Sequence, residues 1–290
     1  MRWAERCFNS LQNSSVVPNI FVVDNGSTDG TQTYIQENFP KTIFKQSKEN
    51  LGFGAANNIG LRYALENDYD FVYLLNQDAW VMQDTFEKLI AISKKNPDYG
   101  LMSPVQMNSD MYHIDKKFCT GLFNYKNKDI INDIYNNKLN DIYETTPFIM
   151  AAHWFLTRDC IAKVGGFSPT FVHYGEDNNY ADRIVYHRFK IGVAPLLKVV
   201  HDRGERVDTT DKIIFFWFIH FLVYLSNPLV NTRILMLVNN IVSCLKMMLK
   251  YKSLYPILYY CKILWKLPTI WKRRKESMIK DCAFLDNVKK

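Results

Sequence analysis

Short apolar runs that each end at an acid or a histidine recur along this chain of 290 residues. Runs of four or five apolar residues bounded by polar ones are typical of buried β-strands. Segments with helical spacing of apolar residues separate them, and this alternation predicts an α/β fold with a mostly parallel central sheet. The predicted strands are 20–23, 71–75 and 197–200, the last with Lys198 among its apolar residues, and they end at Asp24, at Asn76-Gln77-Asp78 and at His201.

The remaining segments complete a coarse map of the chain. Residues 108–145, rich in Asn, Asp, Lys and Tyr, are predicted to form an irregular excursion. Residues 151–164 return to helical spacing. Helices are also predicted around 3–11, at 32–38, in the stretch that runs through Leu65, at 84–95 and at 177–189, with one more strand near 42–44.

The ends of the three apolar runs predict a metal site. Parallel strands place their carboxyl ends at one edge of a sheet, where ligands bind, so these polar residues are expected to converge. Asp78 suits an Mg²⁺ or Mn²⁺ ion that also holds substrate phosphates. Asn76 adds a carbonyl oxygen, and His201 favours Mn²⁺ because imidazole is a softer ligand. An Asx turn at 76–78 and a structural role for His201 are the alternatives.

The adjacent acids Glu176 and Asp177 stand at the predicted start of a helix. Acids at that position stabilise the helix dipole and its free N–H groups, which is a sufficient structural explanation. Three glycines at 165, 166 and 175 precede the pair and indicate a shaped approach. A carboxylate at the end of such an approach can instead take a proton from an acceptor hydroxyl.

Other nucleotide and metal motifs are excluded. The segment 52–57 (GFGAAN) has Asn57 where a dinucleotide fingerprint needs its third glycine, and it does not follow the first strand. No GxxxxGKS or GxxxxGKT phosphate loop is present. The six cysteines form no CxxC pair, which disfavours a zinc site or a disulfide scaffold and favours a reducing compartment.

The C-terminal region differs from the rest of the chain in charge. From Lys246 onward there are 12 basic and 3 acidic residues, whereas the preceding part has 24 basic and 26 acidic residues. The apolar stretch 213–225 is shorter than the roughly 20 residues that span a bilayer. Mixed apolar, aromatic and basic helices favour a region lying on an anionic membrane surface. Packing of 213–225 against the main domain is the alternative.

The motifs, in this order, resemble those of the inverting family 2 glycosyltransferases, which have the GT-A (nucleotide-diphospho-sugar transferase) fold. Rhamnosyltransferase-like bacterial members are the most similar. The resemblance covers about residues 20–205. The matching segments are 22–31 (VVDNGSTDGT), 50–54 (NLGFG) with 58–60 (NIG), 74–79 (LLNQDA), 165–167 (GGF) and 174–177 (YGED).

The resemblance implies a nucleotide-sugar donor pocket, a divalent metal and a general base. Many relatives hold the metal with a DxD motif; here Asn76 stands for the first acid, which leaves Asp78. The implied site residues are Asp24, Asn50, Gly52 and Asn58 for the donor, with Asp24 on the base or ribose. The implied ligands of Mg²⁺ or Mn²⁺ are Asp78, Asn76 and His201. The implied catalytic residues are Asp177, as the base, and Glu176 beside it.

The resemblance and the charge pattern together predict two regions, and the chain departs from the family at its start. Residues 1–210 form the GT-A domain, and residues 211–290 form a basic amphipathic helical region. Relatives begin with an apolar strand ahead of the first helix, whereas Met1 here lies almost at that helix. A central strand is therefore expected to be missing, which leaves backbone groups of its neighbours unpaired. We expect this chain to be a truncated version of a longer protein.

The predicted reaction moves a sugar from a UDP- or dTDP-sugar to a hydroxyl of a bacterial glycan or a lipid-linked acceptor, with inversion. The basic region is predicted to hold the enzyme at the cytoplasmic face of the cell membrane as a peripheral protein. A non-catalytic nucleotide-sugar-binding protein is the alternative, because one acid of the DxD motif and the first strand are absent. Binding to nucleic acid is disfavoured, since the main body is nearly neutral and carries no reader motif.

Overall fold

The structure is a computed structural model that describes residues 1–122, 127–145, 149–204 and 209–285. The basic residues Lys289 and Lys290 of the predicted membrane-binding region lie outside the described residues. The strands are β1 (Phe21–Asp24), β2 (Ile43–Gln46), β3 (Phe71–Leu75), β4 (Ala79–Trp80), β5 (Tyr99–Met107), β6 (Tyr143–Glu144), β7 (His153–Thr157) and β8 (Lys190–His201). The helices are α1 (Ala4–Gln12), α2 (Thr31–Asn38), α3 (Phe53–Glu66), α4 (Thr85–Lys95), α5 (Lys116–Leu122), α6 (Lys128–Tyr135), α7 (Arg158–Val164), α8 (Glu176–Tyr186), α9 (Thr210–Ser226), α10 (Arg233–Tyr251) and α11 (Tyr255–Ile279).

The central sheet has six strands, in the order β3-β7-β5-β8-β4, with β6 also paired to β8. The α/β fold class is confirmed, but the expectation of a mostly parallel sheet is wrong. Among the described strands of this sheet, β5 and β8 run parallel and the other pairings are antiparallel. The reason is that β7 enters between β3 and β5 in the reverse direction, and antiparallel neighbours need no crossover helix.

Strands β1 and β2 form a separate two-stranded parallel sheet. Val22 pairs with Phe44, and Asp24 pairs with Gln46 at the end of the ladder. Within the described residues, no strand joins this pair to β3. The expected absence of a central strand stays a prediction.

Three segments differ from the sequence prediction. Strand β5 has no counterpart among the predicted strands, although all nine of its residues are buried. Residues 153–157 form β7, and helix α7 begins only at Arg158, where the hydroxyl of Thr157 accepts the N–H of Cys160 at 3.3 Å. The predicted excursion at 108–145 contains two helices, α5 and α6, and the short strand β6.

The helical region after residue 209 shares cores with the α/β domain. Helix α9 buries one side against α10 and α11 in a cluster that includes Phe171 of the α/β domain. At the far end, the N–H of Gly166 donates to the carbonyl oxygen of Ala283 at 2.8 Å, and Leu285 joins the main core. The stretch 213–225 therefore packs against the protein, as the alternative interpretation expected.

Candidate active site

Asp24 is the last residue of β1, and its side chain stabilises the turn that follows. Its buried carboxylate accepts hydrogen bonds from the N–H of Ser27 at 2.9 Å and from the side-chain amide of Gln46 at 3.1 Å, both at Oδ2. Gln46 stands beside it because the two residues are partners in the β1–β2 register. The turn is thus held by side-chain bonds, and a contact between Asp24 and a nucleotide stays a prediction.

The loop 50–52 lies against the Asp24 turn, since the side-chain amide of Asn25 bonds to its backbone. Asn50 is exposed, and its Oδ1 accepts the N–H of Gly52 at 2.9 Å. Gly52 has a φ of +80°, and a Cβ there would overlap the carbonyl oxygen of Val172. Only glycine allows so close a backbone approach. The two predicted donor residues therefore connect the Asp24 turn to the loop before α8.

Asn58 lies inside the protein, on α3. Its Oδ1 accepts the N–H of Phe167 at 2.6 Å, and its Nδ2 donates to the carbonyl oxygens of Phe167 and Phe284 at 2.9 and 3.5 Å. The side chain thus joins α3 to the glycine motif at 165–167 and to the end of the chain. Asn58 is thus a packing residue of the α/β domain, and its role in binding the donor stays a prediction.

Asp78 and His201 face each other at one edge of the six-stranded sheet. Ala79 is opposite His201 in the β4–β8 ladder, and the N–H of Asp202 donates to the carbonyl oxygen of Asp78 at 2.8 Å. These backbone bonds place Asp78 Oδ1 3.6 Å from His201 Nε2. These two side chains are close enough that they would together hold a divalent cation.

Asp115 is a member of this cluster that no motif indicated. It directly precedes α5 and caps it, since its Oδ1 accepts the N–H groups of Lys117 and Phe118, both at 2.9 Å. Its Oδ2 lies 3.9 Å from His201 Nδ1, a buried atom that has no hydrogen-bond partner among the described residues. At 3.9 Å the two atoms are within ion-pair range but not hydrogen-bonded, so Asp115 adds negative charge beside the ring. The sequence holds one signal for Asp115: an acid directly before residues 116–122 is typical of a helix cap, although this segment was predicted to be irregular.

Asn76 takes part in the loop between β3 and β4 through hydrogen bonds of its backbone. Its N–H donates to the carbonyl oxygen of Ala152 at 3.2 Å, and its carbonyl oxygen accepts the N–H of Ala79 at the same distance. Within the described residues, no group of three His, Cys, Asp and Glu side chains has the arrangement of a metal site. The protein thus offers two side-chain ligands at short range, Asp78 and His201, and a role for Asn76 as a ligand stays a prediction.

Glu176 and Asp177 open helix α8, after Gly175 at a φ of +88°. Burial raises the pKa of Glu176 to about 7, with a further rise from the charge of Asp177. Burial also raises the pKa of Asp177 to about 6, against its bonds to backbone N–H groups and the positive charges of Arg203 and Lys117. Glu176 Oε2 has no hydrogen-bond partner among the described residues.

The cations beside Asp177 connect the two acidic clusters. Lys117 follows Asp115 at the start of α5, and Arg203 follows His201 at the end of β8. Asp177 therefore experiences the charge of two residues that lie close in the chain to the metal-binding candidates, and a cleft common to all of them stays a prediction. Loop 50–52 leads into helix α3, and Gly54 near the start of α3 lies against Glu176, since a Cβ at Gly54 would be 3.7 Å from Glu176 Cβ.

A family of known proteins matches the first half of the chain. The family described as glycosyl transferase family 2 matches residues 2–163, more than half of the chain. The match includes Asp24, loop 50–52 and Asp78, and it ends before Glu176. No curated protein matches the chain by sequence.

Two solved structures share the fold. GalNAc-T7, crystallised with UDP, GalNAc and Mn²⁺, is 12% identical with a TM-score of 0.50, over 92% of this chain and 55% of that one. TarS 1-349 of S. aureus, in complex with UDP, is 14% identical with a TM-score of 0.52, over 96% of this chain and 76% of that one. This chain thus spans about half the length of the GalNAc-T7 chain. The likeness confirms the GT-A fold.

Proposed function

This chain belongs to glycosyl transferase family 2, and we propose that it transfers a sugar from a nucleoside diphosphate donor to a hydroxyl group with inversion. The observation that carries the proposal is the start of α8, where burial raises the pKa of Asp177 to about 6. A carboxylate in that range is ionised at neutral pH and still basic enough to accept a proton, which is what a general base requires.

Asp177 is better suited to be the base than Glu176. The charges of Arg203 and Lys117 favour ionised Asp177, whereas the charge of Asp177 disfavours ionised Glu176. The pKa values of two adjacent carboxylates separate in this way because the charge of one disfavours ionisation of the other. Asp177 accepts the proton of the acceptor hydroxyl as that oxygen attacks the anomeric carbon from the face opposite the leaving group. Glu176 stays protonated over more of the pH range and shapes the acceptor side.

Asp78 and His201 fit a divalent cation. A carboxylate oxygen and an imidazole nitrogen lie 3.6 Å apart, and the Asp115 carboxylate stands behind the ring. Carboxylate and imidazole ligands suit Mn²⁺, and two protein ligands suffice where donor phosphates and water supply the rest. When bound, the cation offsets the charge that develops on the leaving diphosphate. Arg203 and Lys117 add positive charge that acts on Asp177.

The donor we propose is a UDP- or dTDP-sugar, and the acceptor is a glycan or a lipid-linked sugar. UDP is bound in the solved structures of GalNAc-T7 and TarS, which supports a nucleotide of this size. The Asn25 side chain holds the Asp24 turn and loop 50–52 together. We assign this pair of loops to the base and ribose of the donor.

The test is Asp177→Asn in a screen of UDP-, dTDP- and GDP-sugars with Mn²⁺. Thermal shift reports donor binding, and released nucleoside diphosphate reports turnover. We expect turnover to fall by about 10²–10⁴-fold with donor binding retained. Asp182→Asn is the matched control, since Asp182 is a buried carboxylate on the same helix whose pKa burial raises to about 7.

Three results would overturn parts of the proposal. Near-normal turnover by Asp177→Asn would show that another group is the base. Wild-type protein that binds donors and turns over none of them with any acceptor would favour the non-catalytic binding protein. Failure of every donor to bind would contradict the nucleotide-sugar site itself.

A further inference from the structure

Helix α10 presents a continuous aliphatic stripe to solvent. At about 100° of rotation per residue, its exposed aliphatic side chains fall within an arc of about 120°. Ile234 is 73% exposed and Leu249 is 81% exposed. The stripe consists of Ile234, Leu235, Val238, Ile241, Val242, Leu245 and Leu249. Contiguous apolar surface of this kind marks a site of interaction with a membrane or a protein.

The opposite flank of α10 is anchored to the protein. Cys244 is buried, and the indole N–H of Trp217 on α9 donates to Ser243 Oγ at 2.9 Å. The hydroxyl of Tyr260 on α11 donates to the carbonyl oxygen of Leu237 at 2.9 Å. The stripe is therefore the outer face of a docked helix, held in a fixed orientation.

The charges around the stripe favour an anionic partner. Residues 233–279 contain ten basic residues and one acidic residue, Glu276. Lys246 and Lys250 follow the stripe along one border, and Lys252 ends the helix. Each lysine near an anionic bilayer contributes to binding through the negative surface potential of its lipids.

The first half of α11 continues the same chemistry. Leu254 is 68% exposed, Leu258 60% and Trp265 80%, and these side chains recur at helical spacing with Lys262 and Lys266 beside them. Tryptophan with flanking lysines is typical of helices at the boundary between headgroups and acyl chains.

We propose that the exposed face of α10 and the start of α11 dock on an anionic lipid bilayer. The aliphatic stripe enters the acyl boundary of one leaflet, and the lysines meet the lipid phosphates. Helix α10 is long and apolar enough to cross a membrane, with a mean hydropathy of 1.3 and 6% of the window buried. It lies in the membrane plane instead, because crossing would separate it from α9 and α11. This inference goes beyond the proposed glycosyl transfer and does not depend on it.

The test is flotation of the full chain with vesicles of phosphatidylcholine alone or mixed with phosphatidylglycerol. We expect flotation with the mixed vesicles and loss of most of it in high salt. Val238→Asp with Leu245→Asp should lower the partition coefficient by about tenfold or more, since two inserted aliphatic side chains are lost. The matched control is Val16→Asp with Val17→Asp, two exposed aliphatic residues of the α/β domain.

A second pair of variants separates charge from insertion. Lys246→Gln with Lys250→Gln should lower binding to the mixed vesicles by about tenfold, and Lys94→Gln with Lys95→Gln should leave it unchanged. No binding of the wild-type chain, or equal binding by the aspartate variant, would overturn the proposal. A wild-type dimer that the same variant converts to a monomer, without vesicle binding, would assign the stripe to a second copy. Resistance of bound protein to alkaline extraction would indicate a spanning helix and contradict the in-plane arrangement.

Discussion

Folded proteins usually expose charged side chains and bury apolar ones, and two regions of this molecule each break one half of that rule. Around its cleft the α/β domain buries ionisable groups, among them Asp115, Glu176 and His201. Helix α10 does the reverse and exposes aliphatic side chains along its length. Both arrangements cost free energy in a chain without ligands, through desolvation in one case and exposed apolar surface in the other. They mark the two places where a ligand can recover that free energy.

Helix α9 shows that apolar composition alone does not decide which arrangement a helix takes. Helices α9 and α10 are neighbours of 17 and 19 residues, and both are rich in aliphatic side chains. Helix α9 buries Ile214, Phe218 and Leu225, whereas α10 has one buried residue, Cys244. The difference lies in what each helix packs against, and substitutions can test it.

The largest expected effect is on stability in α9. Leu225 is fully buried, so Leu225→Asp removes apolar burial and places a carboxylate in the core. We expect the free energy of unfolding to fall by about 4 kcal/mol or more. Urea denaturation measures it. A loss below about 1 kcal/mol would mean that α9 is not part of the folded core.

Removal of a proposed metal ligand should have the next largest effect. Asp78→Asn keeps the size of the side chain and removes its charge, so Mn²⁺-dependent donor binding should weaken about tenfold or more. Titration of donor with Mn²⁺ and with EDTA measures the difference. Equal donor affinity of the wild-type protein under the two conditions would contradict a metal-dependent site.

The pH dependence of turnover should follow Asp177. Its pKa is raised to about 6 by burial, so the base is ionised above that pH and protonated below it. Turnover should therefore rise about tenfold per pH unit up to about pH 6 and level off above it. A profile of kcat/KM from pH 4.5 to 8 checks this. A profile that is flat through pH 5 would contradict the assignment.

Neutralising Glu176 should stabilise the protein. Its pKa is raised from 4.5 to about 7, so the folded state binds the proton more tightly than the unfolded chain does. Stability therefore falls as the pH rises from about 4.5 to 7 and stays lower above it. Glu176→Gln removes this loss, and we expect a gain of about 1–3 kcal/mol at pH 8 and little gain at pH 4. Urea denaturation of both proteins at pH 4 and pH 8 measures this. An equal free energy of unfolding for the variant and the wild-type protein at pH 8 would contradict the prediction.

Much of the α/β domain follows from its apolar runs, because run length and polar boundaries are local properties. Strands β1 and β3 and helices α3, α4 and α8 are found where the sequence predicts them. Strand β5 could not be predicted, since Gly100, Pro104 and Gln106 interrupt its apolar pattern and its strand form depends on neighbours on both sides. Long-range pairing there outweighs local propensity.

The candidate site divides in the same way. Asp24, Asp78 and His201 lie at strand ends, and Asp177 lies in the first turn of a helix, as local patterns predict. Asp115 was missed because its proximity to His201, 86 positions away in the chain, does not show in its local pattern as a helix cap. The sequence distinguishes the apolar stretch 213–225 from the mixed apolar and basic helices after it, but only the packing shows which face of α10 is exposed.

The smallest expected effect is the counterpart of the first prediction. Leu245 on α10 is 52% exposed, so Leu245→Asp makes the same substitution as Leu225→Asp where the side chain already meets water. We expect the free energy of unfolding in solution to change by less than about 0.5 kcal/mol. With anionic vesicles present, the same variant should lose the extra stability that binding gives the wild-type chain. A large loss in solution without vesicles would place Leu245 in a protein contact, and the contrast between the two helices would then disappear.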